Sequence, residues 1–322
     1  MDWKIIGKLS LLLPLLICTA CGSALATPVD SPSAPTEANV ILASPTPMLN
    51  DAPTFTPEPA LAAMVNGQPI YLPDYERKLG QYEASLLARG VDPNSPEGQE
   101  DLAQARSWIL NVMIEQTLTE QAAAEVDITL SDAELDAYMQ ETVDDAGGEE
   151  AFQNTLAEWG ETYEEAREEV RVQLIGMKMT QRVIDAVPKT TEHVHARHIQ
   201  VDTLQEAEHI LSQLQAGADF VTLAKSYSQD ANTRESGGDL GFFPRGILIS
   251  PELEEAAFAL QPGQISGVVS STLGYHIVQV IERDPARAVS PESLRLLQDQ
   301  ALQEWIEGLW AEATVQRFIE TP

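Results

Sequence analysis

Histidines and cysteines have the widest chemical repertoire in this chain, and their positions narrow what it can do. Cys18 and Cys21 are the only cysteines and both lie at the extreme N-terminus. The folded part therefore has no disulfide, no thiolate nucleophile and no cysteine metal site. No histidine precedes His193; the others are His195, His198, His209 and His276. Any site built on imidazole belongs to the C-terminal half. His193 and His195 share one strand face, and His198 points the other way by strand parity. Two such ligands make a weak metal site, so no metal or other cofactor is expected. His209 falls on an exposed helix face and is read as inert. Acidic residues number 50 against 19 basic ones, a formal charge of -31. That surface repels phosphates, which argues against a nucleic-acid partner.

The elements that position these histidines form an α+β pattern over residues 191–285. Residues 194–202 alternate as a strand. Residues 204–216 form an amphipathic helix closed by Gly217. A second helix starts at Asp219, and a polar loop with Gly237-Gly238 leads to a short strand at 240–243. A third helix covers 253–260, ended by Pro262-Gly263. Strands at 264–270 and 275–281 complete the order β-α-α-β-α-β-β, a small antiparallel sheet flanked by helices.

Five stretches of this unit carry a resemblance. They are Arg197-His-Ile199, Phe220-Val-Thr-Leu-Ala-Lys-Ser-Tyr-Ser-Gln-Asp230, Gly237-Gly-Asp-Leu-Gly-Phe242, Glu254-Glu-Ala-Ala-Phe-Ala-Leu260 and Gly274-Tyr-His-Ile-Val278. In order and spacing they resemble the parvulin family of peptidyl-prolyl cis-trans isomerases. The resemblance implies that His198 and His276 are the family's paired central histidines, side by side on strands. It puts Asp230 at a position that is Cys or Asp across the family. Leu240, Leu253 and Phe258 match the apolar wall that receives the proline ring, with Leu253 in place of a usual Phe. Leu248 or Ile249 stands where Met is common, an apparent extra residue near Ser250 leaving the two open. Ser271 falls where a hydroxyl joins the histidine network.

The implied chemistry suits these residue types. An X-Pro bond rotates over a barrier of about 18–20 kcal/mol, in tens to hundreds of seconds unaided. No bond breaks, so neither nucleophile nor metal is required. A site needs an apolar cup for the ring and an electrostatic preference for the twisted amide. The Asp202-Thr203 loop is short and lacks a basic cluster, which argues against phosphoserine specificity.

Residues 60–190 read as a short hairpin about Asn66-Gly67 followed by helices. One helix covers 107–125, with Trp108, Ile109, Val112, Met113, Ile114 and Leu118 read as core. A capping box at Ser131 and Glu134 starts another, Gly147-Gly148 breaks the pattern, and a further helix covers about 161–186. The sequence from Asn111 to Leu135 resembles the all-α chaperone region of the SurA and PrsA foldases, which implies a surface that holds unfolded clients. From Ser290 a helix with a stripe of Leu294, Leu297, Ala301, Trp305, Leu309 and Trp310 is expected. It folds back over residues 286–322 onto the chaperone region, or else packs on the isomerase unit.

The N-terminus is an address. Lys4 and Lys8 flank an apolar run at 9–17, too short to span a membrane. Residues 1–20 read as a signal peptide, and Cys21 resembles the lipidated cysteine of a bacterial lipobox. An ordinary cleaved signal peptide is the alternative; both put the mature chain outside the cytoplasm. Residues 21–59, rich in Pro, Ser and Thr, read as a disordered spacer from the membrane. The expectation is a membrane-anchored lipoprotein of the cell envelope. It is a prolyl isomerase and chaperone for exported, unfolded polypeptides with X-Pro bonds. A catalytically silent parvulin-fold holdase is the rival reading.

Overall fold

The computed structural model describes residues 59–319. Cys21, the signal segment and the spacer lie outside the described residues. The chain divides into two compact units: one runs to Ile175 and resumes at Ala313, and the other is Gly176–Glu312.

In the first unit, β1 (Leu61–Val65) and β2 (Gln68–Tyr71) form a hairpin. Its turn puts Asn66 at φ 51° and Gly67 at φ 85°. Two successive left-handed residues make the turn that matches strand twist, and Asn-Gly is the pair that adopts it most cheaply. Helices α1 (Leu72–Ala88), α2 (Pro96–Glu125), α3 (Asp132–Asp145), α4 (Glu149–Trp159) and α5 (Tyr163–Ala186) follow. The apolar pattern starts α2 near Ser107. The structure starts it at Pro96, because the Ser95 hydroxyl accepts the Gly98 N–H and caps the helix. The Ser131–Glu134 capping box opens α3 as the sequence implies. Leu135, Met139, Phe152, Leu156, Ala166 and Val170 form the core of α3 to α5. Arg77–Glu165 and Lys78–Glu169 ion pairs tie α1 to α5. Trp108 departs from its expected place in the core: it is 57% exposed and lies against Tyr82. The apolar face of α2 passes through Ala105, Ile109 and Leu110, which leaves position 108 at its margin.

The second unit holds β3 (Thr190–Val201), α6 (Leu204–Gln215), α7 (Phe220–Tyr227), a single 3-10 turn (Arg234–Ser236), β4 (Asp239–Pro244), α8 (Pro251–Ala259), β5 (Val269–Ser271) and β6 (Gly274–Ala288). All pairings are antiparallel, in the order β4-β3-β6-β5. The strand expected over 264–270 pairs as a strand only from Val269, with one isolated bridge at Ile265. Helices α6 and α7 cover one sheet face, packing Ile210, Leu214, Phe220 and Leu223 on Ile199, Val201 and Ile277. On the other face, α8 packs Leu253, Ala257 and Phe258 on Val194, Ala196, Val278 and Val280.

Helix α9 (Pro291–Glu312) falls within the second unit and has no buried residue. A Cβ added at Gly246, beside α8, would meet the Leu297 side chain at 2.9 Å. The element that returns to the first unit is instead β7 (Val315–Arg317), which pairs with β1. Of the 286–322 segment expected to fold back onto the chaperone region, β7 is the part that pairs there. An apolar stripe shows that a helix wants cover; it does not name the cover.

Candidate active site

Strands β3 and β6 fix the two histidines. His198 lies opposite Val278, and His276 lies opposite Gln200. Residues two apart on one strand share a face, so the imidazoles are diagonal neighbours on the face that α8 covers. Both are buried. Their Nδ1 atoms are 3.4 Å apart, the ring planes differ by 8°, and the centroids lie 5.6 Å apart. The rings therefore meet edge to edge in nearly one plane.

The outer nitrogens have partners too. His198 Nε2 lies 2.8 Å from Asp230 Oδ2 and 3.1 Å from Thr233 Oγ1. His276 Nε2 lies 2.8 Å from Ser271 Oγ, which accepts the Leu273 N–H. An ionised carboxylate only accepts, so His198 carries its proton on Nε2. Its Nδ1 then accepts from Nδ1–H of His276, and His276 Nε2 accepts from the Ser271 hydroxyl. One directed chain runs from Ser271 through both imidazoles to Asp230.

Local structure supports each member. Asp230 follows α7, where the Gln229 N–H donates to the Gln200 carbonyl at 2.7 Å. Its Oδ1 accepts the Asn232 N–H, and Thr233 donates to its Oδ2 at 2.5 Å. Burial alone would raise the Asp230 carboxyl, but bonds from Thr233, His198 and Asn232 outweigh it and hold the carboxyl below its ordinary range. Burial disfavours imidazolium, so His198 is pushed down despite Asp230. His276 is pushed down to about 4, by burial first and by His198 second. Both rings are neutral at pH 7, as the chain of bonds requires.

This depression has a consequence for stability. A free imidazole gains its proton near pH 6.5, whereas native His276 refuses it until about pH 4. Between those values the unfolded chain binds the extra proton, so stability falls as pH drops through this window. Asp230 acts in the same direction but lower, where its depressed carboxyl finally protonates. The melting temperature of the full chain is expected to fall between pH 7 and pH 5, and His276→Gln to flatten that slope. Parallel slopes for the two proteins would contradict the assignment.

The apolar residues divide. Leu253 and Phe258 are buried, with Leu240 and Leu248 packed against them. Phe243 meets Phe258 edge-on at 6.0 Å, and the Arg245 guanidinium lies over the Phe258 ring at 4.1 Å. Ile249 does not join: it is 91% exposed. The reason is Glu254, absent from the sequence-based site, whose carboxylate accepts the N–H groups of Gly246, Ile247 and Leu248. It curls the loop so that Leu248 turns in, and the extra residue leaves Ile249 in solvent. Thr233 was also missed; its spacing of three from Asp230, across a turn, is the only signal for it in the sequence.

Among the described residues, no group of three or more His, Cys, Asp or Glu is placed to hold a metal ion. His193 bonds the Thr191 carbonyl, and His195 pairs with Asp239.

Residues 187–282 match the PPIC-type peptidyl-prolyl isomerase (rotamase) domain, and residues 48–157 match the SurA-like N-terminal domain. The foldase protein PrsA of Caldanaerobacter subterraneus subsp. tengcongensis is 31% identical over 234 residues, covering 68% of this chain and 72% of that protein. The chain belongs to the PrsA foldase family. The PrsA of Oceanobacillus iheyensis is also 31% identical, covering 59% of this chain and 70% of its own length. A crystal structure of the peptidylprolyl isomerase PrsA from Bacillus anthracis aligns at 28% identity with a TM-score of 0.39, covering 63% of this chain and 94% of that one. This PrsA-type foldase is thus a peptidyl-prolyl cis-trans isomerase with a folding-chaperone function, and it binds client polypeptides. Its family acts outside the cytoplasm. No helix among the described residues is long and apolar enough to cross a membrane.

Proposed function

We propose that the isomerase site is the Asp230–His198–His276–Ser271 chain together with the apolar group of Leu240, Leu248, Leu253 and Phe258. One observation carries this reading: the bonded chain and the apolar group occupy the same face of one sheet. The apolar group grips the proline ring. In the planar amide, conjugation loads the carbonyl oxygen with negative charge; twisting withdraws it. A carboxylate near that oxygen opposes the planar state more than the twisted one, which is differential binding of the transition state. The neutral imidazoles keep the carboxylate ionised beside the site and donate no proton to the client. Ser271 sets the tautomer of His276.

The chaperone half is assigned to the first unit, where the exposed Trp108 beside Tyr82 offers an aromatic surface to unfolded segments. Its clients are exported polypeptides that contain X-Pro bonds. Lipid on Cys21 anchors the chain to the membrane, and the Pro-rich spacer holds it off the surface. Proline-limited refolding of a model protein tests the enzyme half. The full chain is expected to accelerate the slow phase in proportion to its concentration. An unchanged slow phase together with suppressed aggregation would favour the holdase reading instead. A lipid-bearing N-terminal fragment, read by mass spectrometry, tests the anchor; an unmodified mature N-terminus would remove it.

A further inference from the structure

The segment between α7 and β4 is held by its backbone. The Thr233 carbonyl accepts the Ser236 N–H at 3.0 Å and the Gly238 N–H at 2.8 Å. The Ser236 hydroxyl adds a third bond to it at 2.8 Å, and the Arg234 N–H donates to the Asp230 carbonyl at 2.9 Å. None of these bonds uses the Thr233 side chain. Its hydroxyl turns inward, 2.5 Å from Asp230 Oδ2 and 3.1 Å from His198 Nε2.

A threonine hydroxyl has one proton to give and two lone pairs to offer. The ionised carboxylate takes the proton. The lone pairs then face the His198 Nε2–H, which already donates to the same Asp230 oxygen at 2.8 Å. One buried donor thus has two acceptors side by side. With Asp230 as its sole partner, His198 would be stranded whenever the carboxylate moved, and a buried unpaired N–H is costly.

We propose that Thr233 is a positioning residue: its hydroxyl holds the His198 N–H while Asp230 turns toward a bound client. The carboxylate can then follow the rotating amide without unpairing the imidazole. This rests on the reading of Asp230 as the charged group of the site.

Thr233→Val keeps the branched shape and every backbone bond of the segment while removing the hydroxyl. Thr233→Ser keeps the hydroxyl and loses a methyl. In a protease-coupled assay on an X-Pro peptide with the full chain, the valine variant is expected to lose about tenfold in kcat/KM, the worth of one hydrogen bond. The serine variant is expected to recover to within about twofold of wild type. The acid limb of the valine profile should also move to higher pH, because one of the bonds that keeps the carboxyl ionised is gone. The other groups near Asp230 are His198 of β3, then His276 of β6 with Glu252 of α8 beyond it, and all are unchanged in both variants. Wild-type kcat/KM in the valine variant, or a serine variant no better than valine, would overturn the proposal. If Asp230→Ala is itself fully active, the reading of the site fails first. If Asp230→Ala is impaired and Thr233→Val is not, only the role of Thr233 fails.

Discussion

Asp230→Ala is expected to reduce kcat/KM for X-Pro isomerisation by on the order of 10²-fold, comparable to removing one preorganised electrostatic group from an active site. Two losses combine. The client carbonyl loses the charge that disfavours its planar state, and the His198 Nε2–H keeps only the longer contact to Thr233. Asp230→Asn separates them. The amide oxygen preserves the acceptor geometry and discards the charge, so a loss close to that of alanine assigns the effect to charge. Near-wild-type activity in the asparagine variant would assign it to hydrogen bonding. Wild-type activity in both would remove Asp230 from the reaction. The fold should survive, because α7 and the backbone-to-backbone bonds of the following segment do not depend on this side chain, which accepts one backbone N–H there, that of Asn232.

The second large effect is on stability. Gly238 has φ +84°, and a Cβ there would sit 2.0 Å from the His198 carbonyl oxygen and 3.2 Å from the His198 nitrogen. Its own carbonyl accepts the His198 N–H at 2.9 Å. Gly238 therefore lets β4 approach the strand that carries the histidine. Gly238→Ala adds strain and collision together and is expected to cost roughly 3–4 kcal/mol, a fall of roughly 10 °C in melting temperature for a unit of this size. Gly217 is the control: its φ is +93° but nothing lies within 4 Å of an added Cβ. Gly217→Ala carries the conformational penalty alone, about 1 kcal/mol. Equal shifts for the two variants would show that the collision is absorbed.

The isomerase fold was legible in the sequence because its signals are local. Gly237-Gly238 and the α7 run into Asp230 each report a backbone demand that one stretch of chain must satisfy. The pairing of His198 with His276 followed from the resemblance to parvulins; the diagonal placement is set by the register of β3 on β6. What escaped depended on contacts between distant residues or on a single inserted position. Ile249 and Leu248 are equally apolar, and only the Glu254 carboxylate beneath the loop decides which turns inward. Thr233 reaches an imidazole 35 residues away. Trp108 sits within one residue of a strong apolar face, where a small angular offset moves it from core to surface. The stripe on α9 recorded a need for cover without an address.

The three-stranded sheet of the first unit also dictates an order of events. Asn66 and Thr314 clasp each other through two hydrogen bonds across 248 residues. As the polypeptide emerges from its N-terminus onward, β1 and β2 can pair at once, yet the seat for β7 stays vacant until almost everything else has appeared. The intervening lobe is complete by then, and its first and last strands bring Thr190 and Ala288 side by side. Once folded, the stretch from Thr190 to Ala288 contributes almost no span to the gap that must be closed, which lowers the entropic cost of the final clasp. The foldase thereby finishes its own assembly last, at the strand that joins its first hairpin to a segment made 248 residues later.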